Sequence, residues 1–149
     1  MKTIVAALDF SDASAPVLAS AIALSRAFGA PIHVIHVLEA EPAYTAYGFT
    51  PDEFPAAHLF QDEARKRAAL KLDETVASLP PGLPEASSRL VDGPPLHGIL
   101  DYVEECGADF LILGSHGHNV LSSLLLGSVA EGIVRKAVVP TLVIPVKKS

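Results

Sequence analysis

The 149-residue chain predicts an α/β fold, a doubly wound parallel sheet with helices on both faces. Three observations carry this. Short runs of nearly continuous apolar residues recur along the chain, "TIVAAL", "IHVIHVL", "DFLILG" and "TLVIPV", as expected of strands covered on both faces. Between them lie longer segments whose apolar residues fall at three- and four-residue steps, the helical period. The two kinds of segment alternate, which means βαβ units and parallel neighbours. No internal repeat is visible, and residues 1–149 are expected to form a single domain with one substantial core.

The first strand covers residues 3–8. After "DFSDAS" comes a helix with Leu18, Ala21, Ile22, Ser25 and Phe28 at helical steps. Asp12 or Ser14 can cap its start, Pro16 suits its first turn, and Gly29 with Pro31 ends it. Residues 32–38 are the second strand. Residues 39–60, rich in Pro and aromatics, resist assignment. From Gln61 a strong amphipathic helix follows, with Ala64, Ala68, Leu72, Val76 and Leu79 on one face and charges opposite; "PPGLP" at 80–84 breaks it. A more polar strand, "ASSRLV", leads through "DGPP" to a helix over about Leu96–Cys106. A strand at 109–114, a glycine-rich loop, a helix to about Ala137 and a strand at 141–146 complete the chain.

The formal net charge of −6 argues against a general nucleic-acid binder, which shows a basic footprint. One phosphate-bearing ligand held by local groups remains compatible with it. Cys106 is the only cysteine, so an intrachain disulfide is excluded. The N-terminal apolar run is too short for a signal h-region, and no run reaches the length that spans a bilayer. A soluble cytoplasmic protein with no membrane partner is expected.

Ligands of such sheets bind beyond the carboxyl ends of the strands, at the switch point, and both "DFS" and the glycine-rich loop leave there. The loop reads "GSHGHNVLSSLLLGS", residues 114–128, with three glycines and no Lys or Arg. Gly114 and Gly117 are expected to open a concave turn of N–H groups. Gly127 and Ser128 would begin a helix whose unpaired amides and dipole face the same place. Together they suit a polyphosphate. For any one glycine a strand end, a turn or a helix start is reason enough; three at this spacing after a buried strand point to a ligand. Neither a P-loop nor a G-x-G-x-x-G fingerprint is present.

The pattern G-x2-G-x9-G-[ST], met by Gly114, Gly117, Gly127 and Ser128, resembles the ATP-binding signature of the universal stress protein family. "ALDFSDAS" and "HVIHVLE" resemble the family's first and second strands, and "LLLGSVAEGIVRKAVVPTLVIP" its C-terminal block, so the likeness runs along the whole chain. The resemblance implies a five-stranded parallel sheet in the order 3-2-1-4-5, Rossmann-like and of the adenine nucleotide alpha hydrolase-like kind, usually dimeric, with an ATP site in one branch. Carried across, Asp9 and the backbone of Val37 would contact the adenine side, with Ala7 lining it. Gly114 and Ser115 would approach the ribose; Gly117, His118, Gly127, Ser128 and Val129 would surround the phosphates, with His116 a further candidate. Many nucleotide-binding members have a basic residue where this chain has His118, and a further Gly where it has Val120. The triphosphate is therefore expected to rely on backbone N–H groups, hydroxyls, the helix dipole and Mg²⁺. His118, and after it His116, is expected to add charge as the pH falls towards the imidazole pKa.

His33 and His36 look like an H-x-x-H metal pair, but an odd separation on a strand sends them to opposite faces, so they are expected to be structural. His116 and His118 lack a Cys or carboxylate in their loop to complete a metal set. Cys106 reads as a packing residue, and "QDEARKRAALKLDE" as a solvated helix face. Residues 39–57, with Tyr44, Tyr47, Phe49 and Phe54, form a long connection on the ligand side. They are expected to be a flap over the nucleotide or a docking surface for a protein partner; the alternative is a loop pinned to its own domain. In the implied order the last strand is an apolar edge, which predicts a homodimer through Thr141 to Val146 that skips Pro145.

The expected function is an ATP-binding regulatory, stress-response module. A slow Mg-dependent ATPase is one alternative, but no evident general base is found and no catalytic residue is assigned. A nucleotide-free dimeric interaction module is the other.

Overall fold

The computed structural model describes residues 3–39, 55–116 and 126–145. Nine elements alternate along them: β1 (Ile4–Ala7), α1 (Ser14–Phe28), β2 (Ile32–Leu38), α2 (Pro55–Ala77), β3 (Ala86–Asp92), α3 (Pro95–Cys106), β4 (Phe110–Gly114), α4 (Ser128–Lys136) and β5 (Thr141–Ile144). The strands form one sheet in the order β3-β2-β1-β4-β5, and every neighbouring pair is parallel. Ile4 stands between Ile32 and Phe110 in register. The chain winds outward from β1 through β2 to β3, then crosses to β4 and β5. The switch point lies between β1 and β4, as the sequence predicts.

Both faces of the sheet are covered, and strand alternation assigns the side chains. Ile4, Ala6 and Leu8, with Ile32, Val34 and Ile112, meet Val17 and Ala21 of α1 and Leu72 of α2. Val5, Ile35, Val37, Leu111 and Leu113 meet Ile99, Tyr102 and Val103 of α3 and Ala130 and Ile133 of α4. This double burial explains why these strands read as apolar runs. The β2 histidines follow the same rule. His33 Nδ1 lies 2.8 Å from the Tyr102 hydroxyl on the α3 face, whereas His36 packs on Phe10 on the other. They cannot share a metal ion.

Several boundaries differ from the sequence reading. Helix α2 begins at Pro55, six residues before Gln61. Proline suits the first helical position because its fixed φ is already helical, while "PAAHLF" lacks the charges that mark the amphipathic part. The inner face of α1 is Val17, Ala21 and Ser25; Phe28 is exposed. Gly29, left-handed at φ 64°, ends that helix as expected. Neither Asp12 nor Ser14 caps its start: the N-cap is Ala13, without a side-chain bond. Ser11 organises the turn instead, its hydroxyl accepting the Ala13 N–H at 3.2 Å and its carbonyl the Ser14 N–H at 3.0 Å. Strand β5 stops at Ile144, before Pro145, which has no N–H to continue a ladder.

Candidate functional site

A crevice of about 400 Å³ opens at the carboxyl ends of β1, β2 and β4, within the usual range for small-molecule sites. Six chain segments wall it: Ala7–Asp9 after β1, Ala13 to Val17 at the start of α1, His36 to Glu39 at the end of β2, Pro95 and Ile99 of α3, Leu113–His116, and Gly127–Ala130. Nine of the expected site residues line it: Ala7, Asp9, Val37, Gly114, Ser115, His116, Gly127, Ser128 and Val129. Gly117 and His118 lie outside the described residues. So do Tyr44, Tyr47, Phe49 and Phe54 of the long connection.

The floor is built by tight local geometry. Asp9 Oδ1 accepts the Ser11 N–H at 2.9 Å, an Asx turn that bends the chain from β1 into α1. Phe10, between them, takes φ 60°, a left-handed conformation that costs a bulky residue about 1–3 kcal/mol. Its ring rests on His36, centroids 4.6 Å apart, and Lys71 Nζ of α2 stands 5.3 Å from its centre. The Asp9 carboxylate thus both shapes the turn and lines the crevice.

The far wall is pinned by Ser115. Its N–H donates to the Ile144 carbonyl at 2.8 Å, and its own carbonyl accepts the Gly127 N–H at 2.7 Å. Gly114 does not adopt positive φ, so the turn freedom expected of it is not its reason for being glycine. That reason is contact: an added Cβ would come within 2.6 Å of the Ala13 Cβ. With the Gly127 amide engaged, the amides that α4 leaves without an intrahelical acceptor are those of Ser128, Val129 and Ala130, ahead of the Glu131 N–H bond to the Gly127 carbonyl.

The charge pattern is uneven. Asp9 and Glu39 bring carboxylates to the β1–β2 side, and no Lys or Arg is among the described lining residues. Helices α1, α3 and α4 all begin at the crevice, and no side chain caps any of the three. Converging helix N-termini supply positive potential and amide donors without a cationic side chain. Two polar atoms on the lining residues, Ser14 Oγ and His116 Nε2, are buried without a hydrogen-bond partner among the described residues, although His116 Nδ1 lies 2.7 Å from the Ser115 hydroxyl. A buried unpaired polar group is costly, so both atoms fit a site that a polar ligand completes.

The sequence reading missed Ser14, His36, Glu39 and the start of α3. Ser14 was legible only as a helix cap and His36 only as structural. Each sits within two residues of a strand or helix end at the switch point, and that position was the available signal.

A doubly wound α/β fold with a crevice at its switch point defines the class. The model of the universal stress protein family matches residues 1–145. The chain belongs to the universal stress protein family. It is 30% identical over 148 residues to universal stress protein A homolog 1 of Coxiella burnetii, covering 99% of this chain and 98% of that protein. The solved structure of MJ0577, a universal stress protein of Methanocaldococcus jannaschii, superposes with a TM-score of 0.83 at 26% identity, covering 99% and 98% of the two chains. An Archaeoglobus fulgidus universal stress protein solved in complex with dAMP shares the fold, with a TM-score of 0.63 at 23% identity over 97% of each chain.

Proposed function

We propose that the crevice binds ATP, carried with Mg²⁺, and that its occupancy makes the protein a nucleotide-dependent regulatory module of the cytoplasm. The observation that carries this reading is the meeting of three helix N-termini, α4 with its first amides lacking an intrahelical acceptor, at a crevice that Asp9 and Glu39 also line. Carboxylates accept hydrogen bonds from an amino-bearing base and ribose hydroxyls; orphan amides donate to the negative end. Asp9, Ala7 and the backbone of Val37 take the base, Gly114 and Ser115 the ribose, and Gly127, Ser128 and Val129 the phosphates, with His116 beside them. Mg²⁺ enters with the phosphates that it accompanies. The dAMP held by the Archaeoglobus protein makes adenine nucleotides the first class to test.

The test is the ligand itself. Mass spectrometry of protein purified and then denatured is expected to release an adenine nucleotide, and emptied protein to bind Mg-ATP in calorimetry. A protein that carries no nucleotide and takes up none overturns the reading.

A homodimer through β5 belongs to the same proposal. Among the described residues the strand has a neighbour on one side only, and Leu142, Val138 and Val134 are exposed around it.

A further inference from the structure

The geometry points to His36 as the positioning residue of the crevice, which ends the β1–β2 ladder early so that Val37 keeps a main-chain N–H for the ligand while Asp9 is held beside it. This inference rests on the nucleotide reading above for its ligand, but not for its structural half. Strands β1 and β2 pair in parallel from Ile4↔Ile32 to Ala7↔Ile35, and one further bond runs from the Leu8 N–H to the Ile35 carbonyl at 2.8 Å. In a parallel ladder the evenly spaced bonds alternate between neighbours, so the next rung would be the Val37 N–H to the Leu8 carbonyl. That carbonyl instead accepts from His36 Nδ1 at 2.7 Å. A carbonyl can only accept, which fixes the proton on Nδ1. The imidazole stands in for that rung, and among the described residues the Val37 N–H, on the β1 side by the same alternation, has no ladder bond to Leu8, at the crevice that Val37 lines.

The same ring holds the other side of Asp9. Leu8 is bonded through its carbonyl, and Phe10, forced to φ 60°, lies against the imidazole with centroids 4.6 Å apart. Both chain neighbours of Asp9 therefore touch one side chain. Lys71 of α2 covers the far side of this stack, 5.3 Å from the Phe10 ring centre. Asp9 and Val37 both line the crevice, so a carboxylate acceptor and a main-chain donor would face one ligand, the pattern that an adenine amino group and ring nitrogen present in reverse.

Two readouts test the inference. In the ligand-free wild type the Val37 amide is expected to exchange with solvent far faster than those of Val34 and Ile35. In His36→Leu it is expected to become protected as the rung closes, and ATP affinity to fall about tenfold. His36→Asn, whose amide nitrogen sits where Nδ1 does, is expected to restore both. In a double-mutant cycle with Asp9→Ala, His36→Leu should add less than its full loss, because it acts partly through Asp9 and partly through the Val37 amide. A Val37 amide already protected in the wild type, which needs no variant to measure, overturns the proposal. Unchanged affinity in a folded His36→Leu protein, or fully additive losses, also does so. Fast Val37 exchange in a protein that binds no nucleotide instead overturns the nucleotide reading and leaves the role of His36 in the ladder standing.

Discussion

Gly114 and Ala13 stand so close that a Cβ on the glycine would lie 2.6 Å from the alanine methyl. The end of β4 and the start of α1 meet there, and this contact brings Ser115 and His116 beside Ser14 at the crevice. Gly114→Ala is therefore expected to overpack the junction and lose about 1–3 kcal/mol in urea unfolding. Adding Ala13→Gly removes the opposing methyl, and glycine is tolerated at an N-cap. The double variant should recover most of the loss. Two losses that simply add would show that the contact is not the cause.

Ser14 Oγ and His116 Nε2 are buried without partners among the described residues, so each is expected to gain a bond when a polar ligand arrives. Ser14→Ala should leave the melting temperature of the free protein unchanged or raised, since an unsatisfied hydroxyl is removed. Mg-ATP affinity should fall by about 1 kcal/mol, near fivefold. A variant that destabilises the free protein while binding ATP normally would mark Ser14 as a packing residue only.

The sheet was legible in the sequence because Ile4 to Leu8, Ile32 to Leu38 and Phe110 to Leu113 are buried on both faces and so are apolar at nearly every position. The start of α2 was not, since Pro55 to Phe60 carries no charge to display a helical face. The turn into α1 misled in a different way. Asp12, Ser11 and Ser14 are all competent caps, and only the Asx turn made by Asp9 decides that Ser11 is the one that engages the backbone. The glycine spacing pointed to the crevice that Gly114 and Gly127 line, but not to the contact of Gly114 with Ala13, which lies about a hundred residues earlier and leaves no local trace. His36 was hidden by the same non-locality. Its bond to Leu8 spans β1 and β2, and nothing near it in the chain announces a ladder that stops.

Cys106 follows from burial. The thiol packs against the α3 face of the core, and desolvation pushes its pKa up, only partly offset by backbone hydrogen bonds. A folded-state pKa above the unfolded one means the native state holds its proton more tightly. The resulting stability is complete below the unfolded pKa, about 8.5, and is lost as pH rises through the folded value. Unfolding free energy should decline above about pH 8.5, and the slope should be shallower in Cys106→Ala. Tyr102, raised for the same first reason, extends the decline to higher pH. A thiol reagent at neutral pH should label the native protein slowly and the unfolded chain quickly. Equal slopes in the two proteins would separate the alkaline loss from this cysteine.

The edge strand gives the last prediction. β5 pairs with β4 from Leu111↔Thr141 to Gly114↔Ile144 and has no second neighbour among the described strands. An apolar edge without cover invites pairing with another chain, and a two-fold axis would join β5 to its copy in an isologous contact. Leu142, 36% exposed, and Val138, 62% exposed, supply the apolar surface beside it. Light scattering at micromolar concentration should give twice the chain mass, and Leu142→Lys should give a monomer, because a charged side chain in the contact must be desolvated on association. If the lysine variant keeps the wild-type mass and its far-ultraviolet spectrum, the copies meet elsewhere. A wild-type monomer at that concentration would leave β5 a protected edge whose short length alone prevents pairing.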